Sequence, residues 1–498
     1  MVKEKLKRQR EQTRLRLRGA LILALLIFTG SAGAVELTLD QALEIAFTKS
    51  PSIRQSELSL SISRHNLQAQ QASLKSQFNL DLTPYYHSKS RRYYEFGGYF
   101  YDQTEEQSSA SLSVRQPLKW TDATLSLTND LAWRKTTGGV GVGDVSSETY
   151  SNNLYLSFSQ PLFTYNRTKM QTRELELALE NAQLNNAIQK LQIEFQVTQQ
   201  FLNLYHSQRS VEIAEEEYKN ATESYDIIAS KVGAGISAQE ELYQAELTQS
   251  TAQASVQNSR MNYENALDNF KLLLGLPLEE TISLTADITK FVVPVDRQKA
   301  IEQGLANRME LRQRDIAIEN ALNNLIQTGA EDEFRADLQF TYGLIGTAEK
   351  FGDIFSDQTK NQTFGVSVTV PLIDWGRKKH RMAASEAQLE NSRINYDEQR
   401  REIVAEIRSA FRSLENQKTQ IDIAEQNVKN ARLTYEINLE RYKSGDLSSK
   451  DISFYQNQLS SEQLNEVAAL ISYKIALLDM KIRTLWDFTK NESVMTAN

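Results

Sequence analysis

Four histidines, His65, His87, His206 and His380, and the run Gly138-Gly139-Val140-Gly141-Val142-Gly143 are the residues whose types could carry catalysis, metal binding or phosphate binding. A general base or a ligand set needs such side chains to converge, and the histidines are scattered along the chain without a catalytic motif. There is no cysteine, and the seven methionines do not cluster, so neither a thiolate nucleophile nor a soft site for copper or silver is spelled out. The glycine run lacks the Lys-Ser/Thr of a phosphate loop and no helix pattern starts after it, so it reads as a flexible turn. The pattern is not that of an enzyme, and it implies neither a cofactor nor a disulfide.

The elements around these residues begin with a targeting segment. In residues 1–34 a basic stretch (3–18) precedes an apolar run (20–28) and the small-residue end Ala32-Gly33-Ala34, so a signal peptide cleaved after Ala34 is expected. The apolar run falls far short of the roughly 20 residues that a spanning helix needs. The chain carries 56 basic against 64 acidic residues, and removal of a basic signal makes the rest more acidic still, which disfavours nucleic acid as a partner. Only 7 prolines and 20 glycines punctuate 498 residues, so long uninterrupted elements and an elongated architecture are expected.

The chain is also a tandem duplication. An offset of 210 aligns Pro161 with Pro371, Leu204 with Leu414, Tyr225 with Tyr435, Gly235 with Gly445 and Tyr263 with Tyr473, without a gap. An offset of 258 aligns Ala42 with Ala300 and Leu80 with Leu338, so the first half holds an insertion of 48 residues within about 83–160. Residues 35–290 and 291–498 are expected to be two structural repeats, each running helix, strands, very long helix, glycine-containing break and returning helix. Val197, Leu204, Val211, Tyr218, Tyr225 and Val232 recur every seven residues in the first half, as do Ile407, Leu414, Ile421, Val428, Tyr435 and Tyr442 in the second. That period specifies a left-handed coiled-coil seam, and Ala410, Ala424 and Ala431 at its second position allow close helix approach. About 65 residues over 166–230 would span roughly 100 Å, and a returning helix (237–274) stacked on a leading one (40–76) about 110 Å. Two short helices can thus line one long one, with hairpins turning at Gly235 and Gly445.

Residues 337–345 and 363–370 alternate, with Leu338, Phe340, Phe364 and Val366 on one face and Asp337, Gln339, Thr341 and Ser367 on the other. Alternation over about ten residues suits a membrane barrel around an aqueous lumen, and residues 78–85 and 153–161 are the first-half equivalents. Four strands cannot close, and an open edge in hydrocarbon leaves backbone groups unpaired, so chains are expected to pool strands, three of them making twelve. Residues 111–116 and 123–133 in the insertion alternate too; they either extend the barrel or form an extracellular hairpin, and the hairpin is preferred. A soluble strand alternates equally well, so a periplasmic coiled-coil scaffold or adhesin without a pore is the alternative.

With these features together, the chain resembles the TolC-like outer-membrane efflux protein family. The motifs are the opening Leu37-Thr38-Leu39-Asp40-Gln41-Ala42-Leu43, the strand ends Ser159-Gln160-Pro161-Leu162-Phe163 and Thr369-Val370-Pro371-Leu372-Ile373, and the tips around Val232 to Gly235 and Arg441-Tyr442-Lys443-Ser444-Gly445. The resemblance implies a mainly α fold with a membrane β-barrel portion. It implies a homotrimer with a 12-strand β-barrel in outer-membrane lipid and a 12-helix periplasmic α-barrel of coiled-coil hairpins. Such a protein is the exit duct of a tripartite efflux or type I secretion system, passing small molecules or polypeptides. A periplasmic adaptor (membrane fusion protein), joined to an inner-membrane transporter, would dock on the tips, here Gly233, Gly235, Ile236, Ser237, Gly445, Asp446, Leu447 and Ser448.

Pores of the family narrow where carboxylates six and nine residues after the second tip glycine ring the lumen. The matching positions are Asp451 and Phe454, so one acidic ring, favouring cations and attracting divalent blockers, is kept and the other is replaced by aromatic bulk. The bland alternative is that Asp451 complements a helix N-terminus. A tyrosine tied to a first-half carboxylate matches Tyr442 and Glu241, whereas a second tie from an arginine is missing because Leu447 stands there.

Overall fold

The computed structural model describes residues 35–494 except 96, 139–144, 286–287, 332, 357 and 445. The expected signal segment 1–34, most of the glycine run, and Gly445 therefore lie outside the described residues. The elements are β1 (Val35–Leu37), α1 (Leu39–Lys49), α2 (Pro51–Ser73), β2 (Gln77–Tyr94), β3 (Tyr99–Leu118), β4 (Ala123–Thr137), β5 (Ser146–Leu162), α3 (Arg167–Gly233) and α4 (Gln239–Leu274). There follow β6 (Ile282–Leu284), α5 (Arg297–Asn307), α6 (Met309–Glu331), β7 (Arg335–Ala348), a 3-10 turn (Phe351–Phe355), β8 (Thr359–Thr369), α7 (Arg377–Lys443), α8 (Ser449–Thr484), β9 (Trp486–Asp487) and β10 (Glu492–Ser493). No helix among the described residues is long and apolar enough to cross a membrane. The chain divides into two units, and both α3 and α7 contribute to each.

One unit comprises residues 52–192, 293–412 and 479 onward. It contains a six-stranded sheet of order β2-β3-β4-β5-β7-β8, antiparallel throughout. The expectation of four strands per chain with the insertion set apart as an extracellular hairpin is corrected here: β3 and β4 stand inside the sheet, between β2 and β5. The physical reason is phase. Val114 pairs with Phe78 on one side and with Leu127 on the other, and Leu127 with Leu156. An inserted pair of strands thus continues the apolar rows of its neighbours, where a slip of one residue would have turned them over. The register shift between Thr83 and Tyr86 falls at Pro84, which has no N–H to give the ladder.

Helices of this unit pack through a small core of Ala300, Leu311, Ile403, Ile407, Ala410 and Met480. A Cβ on Gly304 would collide with Ile407 Cδ1 and lie 3.3 Å from the Arg483 carbonyl oxygen, so a larger residue there would force Ile407 to shift. Polar bonds also join α6 to α3. The Arg312 guanidinium donates to Glu180 at 2.6 Å and Arg173 to Glu319 at 2.6 Å, and these bonds hold both carboxyls below the usual range.

The leading helix expected in each half is broken in two. Between α1 and α2 the cause is local, because Ser50 precedes Pro51 and is driven out of the helical region (ψ 129°). Between α5 and α6 no proline follows Arg308, yet it too is extended (ψ 121°). Tertiary bonds hold that break: the Arg308 guanidinium donates to Glu310 at 2.7 Å and to Glu406 at 3.0 Å.

The other unit comprises residues up to 51, 193–292 and 413–478. Its helical starts are well signalled: Thr38 and Gln41 form a reciprocal capping box on α1, and β1 pairs in parallel with β6. On α7 the seven-residue grid is buried from Ile407 to Val428, with Leu414, Ile421 and Val428 at 1%, 1% and 7% exposure and Ala424 and Ala431 both at 7%, while Tyr435 is half-buried. On α3 the seam shifts. Val197 and Leu204 are buried, but farther along burial passes to Ala214, Ala221 and Ile228, leaving Val211, Tyr218 and Tyr225 half-buried.

The end of α4 supplies a stability test. Gly275 has φ +72° and a Cβ there would lie 2.6 Å from the Lys49 carbonyl oxygen, whereas Gly235, at φ +73°, faces open space. Gly275→Ala should lower the melting temperature of the detergent-solubilised protein by several degrees and clearly more than Gly235→Ala, since strain alone costs about 1–3 kcal/mol and only Gly275 adds a backbone collision. Equal melting of the two variants would contradict this packing.

Candidate functional site

The two helical hairpins turn through the same hydrogen bonds. At the first tip the Ile236 N–H donates to the Lys231 carbonyl at 2.9 Å, and at the second the Asp446 N–H donates to Arg441 at 2.9 Å. This capping bond closes the last helical turn and needs a left-handed residue beside it, which Gly235 supplies at φ +73°. Gly233, Gly235 and Ile236 are exposed, Ile236 at 75%. Ser237 and Leu447 are half-buried, and Asp446 and Ser448 are exposed.

Tyr442 is buried beside its tip, at 6% exposure. Its hydroxyl lies 3.0 Å from Ser224 Oγ on α3, and the Lys231 ammonium stands 5.7 Å from the centre of its ring. Within the chain the Tyr442 hydroxyl thus meets Ser224, a residue the sequence did not single out, beside the tie to Glu241 that the resemblance implies. Asp451 accepts a hydrogen bond from the Ser448 hydroxyl at 2.6 Å, and the Asp451 N–H donates back to that hydroxyl at 3.3 Å. This bond pair caps α8; the Asp451 side chain stays exposed.

Phe454 is 64% exposed and stacks edge-on with Tyr455 at 5.5 Å. It lines a cleft of about 480 Å³ with Glu217, Leu247 and Lys450. Burial raises the Glu217 carboxyl above its usual range, against the opposing effect of a hydrogen bond with Ser460. Glu217 carries no mark in the sequence, since a glutamate on a helix in a run of glutamates reads as solvated.

The four histidines remain apart. His65 bonds to Gln68, His87 lies 3.8 Å from Glu106, and His206 is held below its usual pKa by burial. Among the described residues no cluster of three or more His, Cys, Asp or Glu is arranged to hold a metal ion.

Comparison with known proteins identifies the architecture. The family model described as outer membrane efflux protein matches residues 122–276 and 300–481, once in each half of the chain. The chain belongs to the outer membrane efflux protein family. Among curated relatives, Nodulation protein T of Rhizobium leguminosarum bv. viciae is 24% identical over 392 residues, covering 74% of this chain and 80% of its own. Cation efflux system protein CusC of Escherichia coli (strain K12) is 20% identical over 320 residues, covering 63% and 68%. Among solved structures, the Campylobacter jejuni CmeC outer membrane channel superposes with a TM-score of 0.67 at 16% identity, covering 91% of this chain and 88% of that one. As a member of this family the protein resides in the cell outer membrane and extends into the periplasm.

Glu217 yields a pH-dependent prediction. A carboxyl raised in the folded state contributes stability while it is protonated and loses it as pH rises through its folded pKa. Glu217→Gln should therefore melt higher than the parent protein at pH 8, with the difference vanishing near pH 4. A difference that is constant with pH would contradict the burial of that carboxyl.

Proposed function

We propose that the protein is the exit duct of a tripartite efflux or type I secretion system, assembled as a homotrimer. The observation that carries this reading is a sheet apolar on one face and polar on the other, joined to two 67-residue helices that each fold back at a tip. A sheet of that kind belongs between lipid and water. Helices of that length extend about 100 Å at 1.5 Å per residue, enough to carry a conduit well away from the membrane. Two tandem repeats, residues 35–290 and 291–498, supply two hairpins per chain, so three chains supply twelve long or stacked helices around one axis.

In this reading the hairpin tips, through Gly233, Gly235, Ile236 and Ser237 on the first and Asp446, Leu447 and Ser448 on the second, with Gly445 beside them in the sequence, receive a periplasmic adaptor that links the duct to an inner-membrane transporter. In this reading cargo is chosen by that transporter. The name of the relative CusC speaks of cation efflux, but nothing in this chain commits it to metal ions over other small molecules or polypeptides. Asp451 from three copies would form one acidic ring at the periplasmic entrance, and Phe454 would narrow it by bulk. The Tyr442–Ser224 bond would hold the two hairpins together and the entrance closed.

Purified protein in planar bilayers should conduct as a heat-modifiable trimer. Tyr442→Phe and Ser224→Ala should each raise its conductance about two-fold or more, while Asp451→Asn should weaken cation preference and block by divalent ions. A soluble, non-conducting monomer would contradict the duct. Unchanged conductance in both hydroxyl variants would contradict the lock, and unchanged selectivity in Asp451→Asn would contradict the ring.

A further inference from the structure

We propose that all six strands of the sheet cross the membrane and that the free edges of β2 and β8 pair with neighbouring copies, so that the trimer closes an eighteen-strand barrel in place of a twelve-strand one. The inference rests on the trimeric duct proposed above and departs from its expected barrel. Three observations carry it.

The first is where the inserted pair turns. The connection from β3 to β4 lies at the end of the sheet where α3 begins. Gln160 Nε2 donates to the Thr121 carbonyl at 2.6 Å, Asn166 Nδ2 to the Lys119 carbonyl at 2.7 Å, and the Thr168 N–H to Asp122 Oδ1 at 3.1 Å. Asp122 thereby caps the long helix. A hairpin carried outside the membrane would turn at the opposite end, so β3 and β4 run the full height of the sheet.

The second is the pattern of faces. Leu112 and Val114 on β3 and Leu125 and Leu127 on β4 share the apolar face with Phe78, Leu80 and Leu156, and they are exposed at 47%, intermediate, 37% and 43%. Ser111, Ser113, Ser126 and Thr128 occupy the other face. Trp120 at the β3–β4 turn, 94% exposed, lies at the same end as Phe163 and Trp375 at 71% and 93%. Trp133 and Tyr150 lie toward the other end, beside the 3-10 turn. From the level of Trp133 to the end of β3 is about ten residues, or about 33 Å of strand, which rises about 25 Å at the usual tilt. That matches the apolar band of a membrane barrel flanked by aromatic girdles.

The third is the edges. β2 and β8 are exposed along almost their whole length, while the four inner strands are mostly half-buried. In hydrocarbon each unpaired N–H or C=O costs several kcal/mol, and six strands fall below the eight of the smallest outer-membrane barrels. A second copy of this chain offers the complementary edge with its apolar rows on the matching face. Three copies of a six-stranded sheet make eighteen strands. With strands about 4.8 Å apart and tilted about 40°, the barrel is about 36 Å across, against about 24 Å for twelve strands.

The chain has no cysteine, so single cysteines can be placed at Leu112, Val114, Leu125 and Leu127, and at Ser111, Ser113, Ser126 and Thr128. Each is labelled with the fluorophore NBD in the full-length protein reconstituted in vesicles, with Leu156 and Ser157 on β5 as references for insertion. Brominated lipid should quench the first four by about half, as at Leu156, and leave the second four unaffected. Water-borne iodide should quench the second four, as at Ser157. Conductance with all eight sites quenched by iodide and none by lipid overturns the eighteen-strand barrel and leaves the duct in place. Absence of both conductance and trimer overturns the duct, and this inference with it.

Discussion

Backbone groups that meet hydrocarbon have no water to bond, and this constraint governs the sheet of this protein. Its four inner strands satisfy one another, and its two outer edges have no strand partner among the described residues. The side chains on the two faces say what surrounds the sheet: Phe78, Leu156 and Phe364 on one side suit lipid, and Asp81, Asp130 and Asp337 on the other suit water. The proposed assembly of copies would answer both demands at once, because pairing of edges and enclosure of a polar lumen are the same act.

The helices solve a different problem. A 67-residue helix has too little apolar surface at any one level to be a globular core, so its burial is distributed along a narrow seam. On α7 that seam stays on one seven-residue grid, from Ile407 to Val428. On α3 it crosses to small residues, Ala214 and Ala221, which are buried where Val211 and Tyr218 are only half-buried. Charged and hydroxyl pairs such as Arg312–Glu180 and Tyr442–Ser224 then fix which helices meet; exposed ones add little stability.

Much of this was legible in the sequence because it is local or periodic. The glycine tips announced themselves through a backbone conformation that few other residues adopt, and the strands through alternation. Alternation cannot say at which end a connection lies, so it is equally compatible with an outside hairpin; the bonds of Gln160 and Asn166 are what hold this turn beside α3. The break at Ser50 was written in Pro51, whereas the break at Arg308 depends on Glu406, 98 positions away. Likewise the heptad placed Tyr442 on a seam but gave no hint of Ser224, since a lone serine on a helix carries no pattern.

The central claim is that each chain supplies an open arc whose edges are completed by its neighbours. Disulfide scanning tests it most directly, with one cysteine on the polar face of β2 (Gln77, Asn79 or Asp81) and one on that of β8 (Thr363 or Ser367) in membranes of the full-length protein. The account predicts that at least one pairing yields covalent dimers and trimers and nothing larger. Monomers throughout the scan, or a link formed within a single chain, would contradict it.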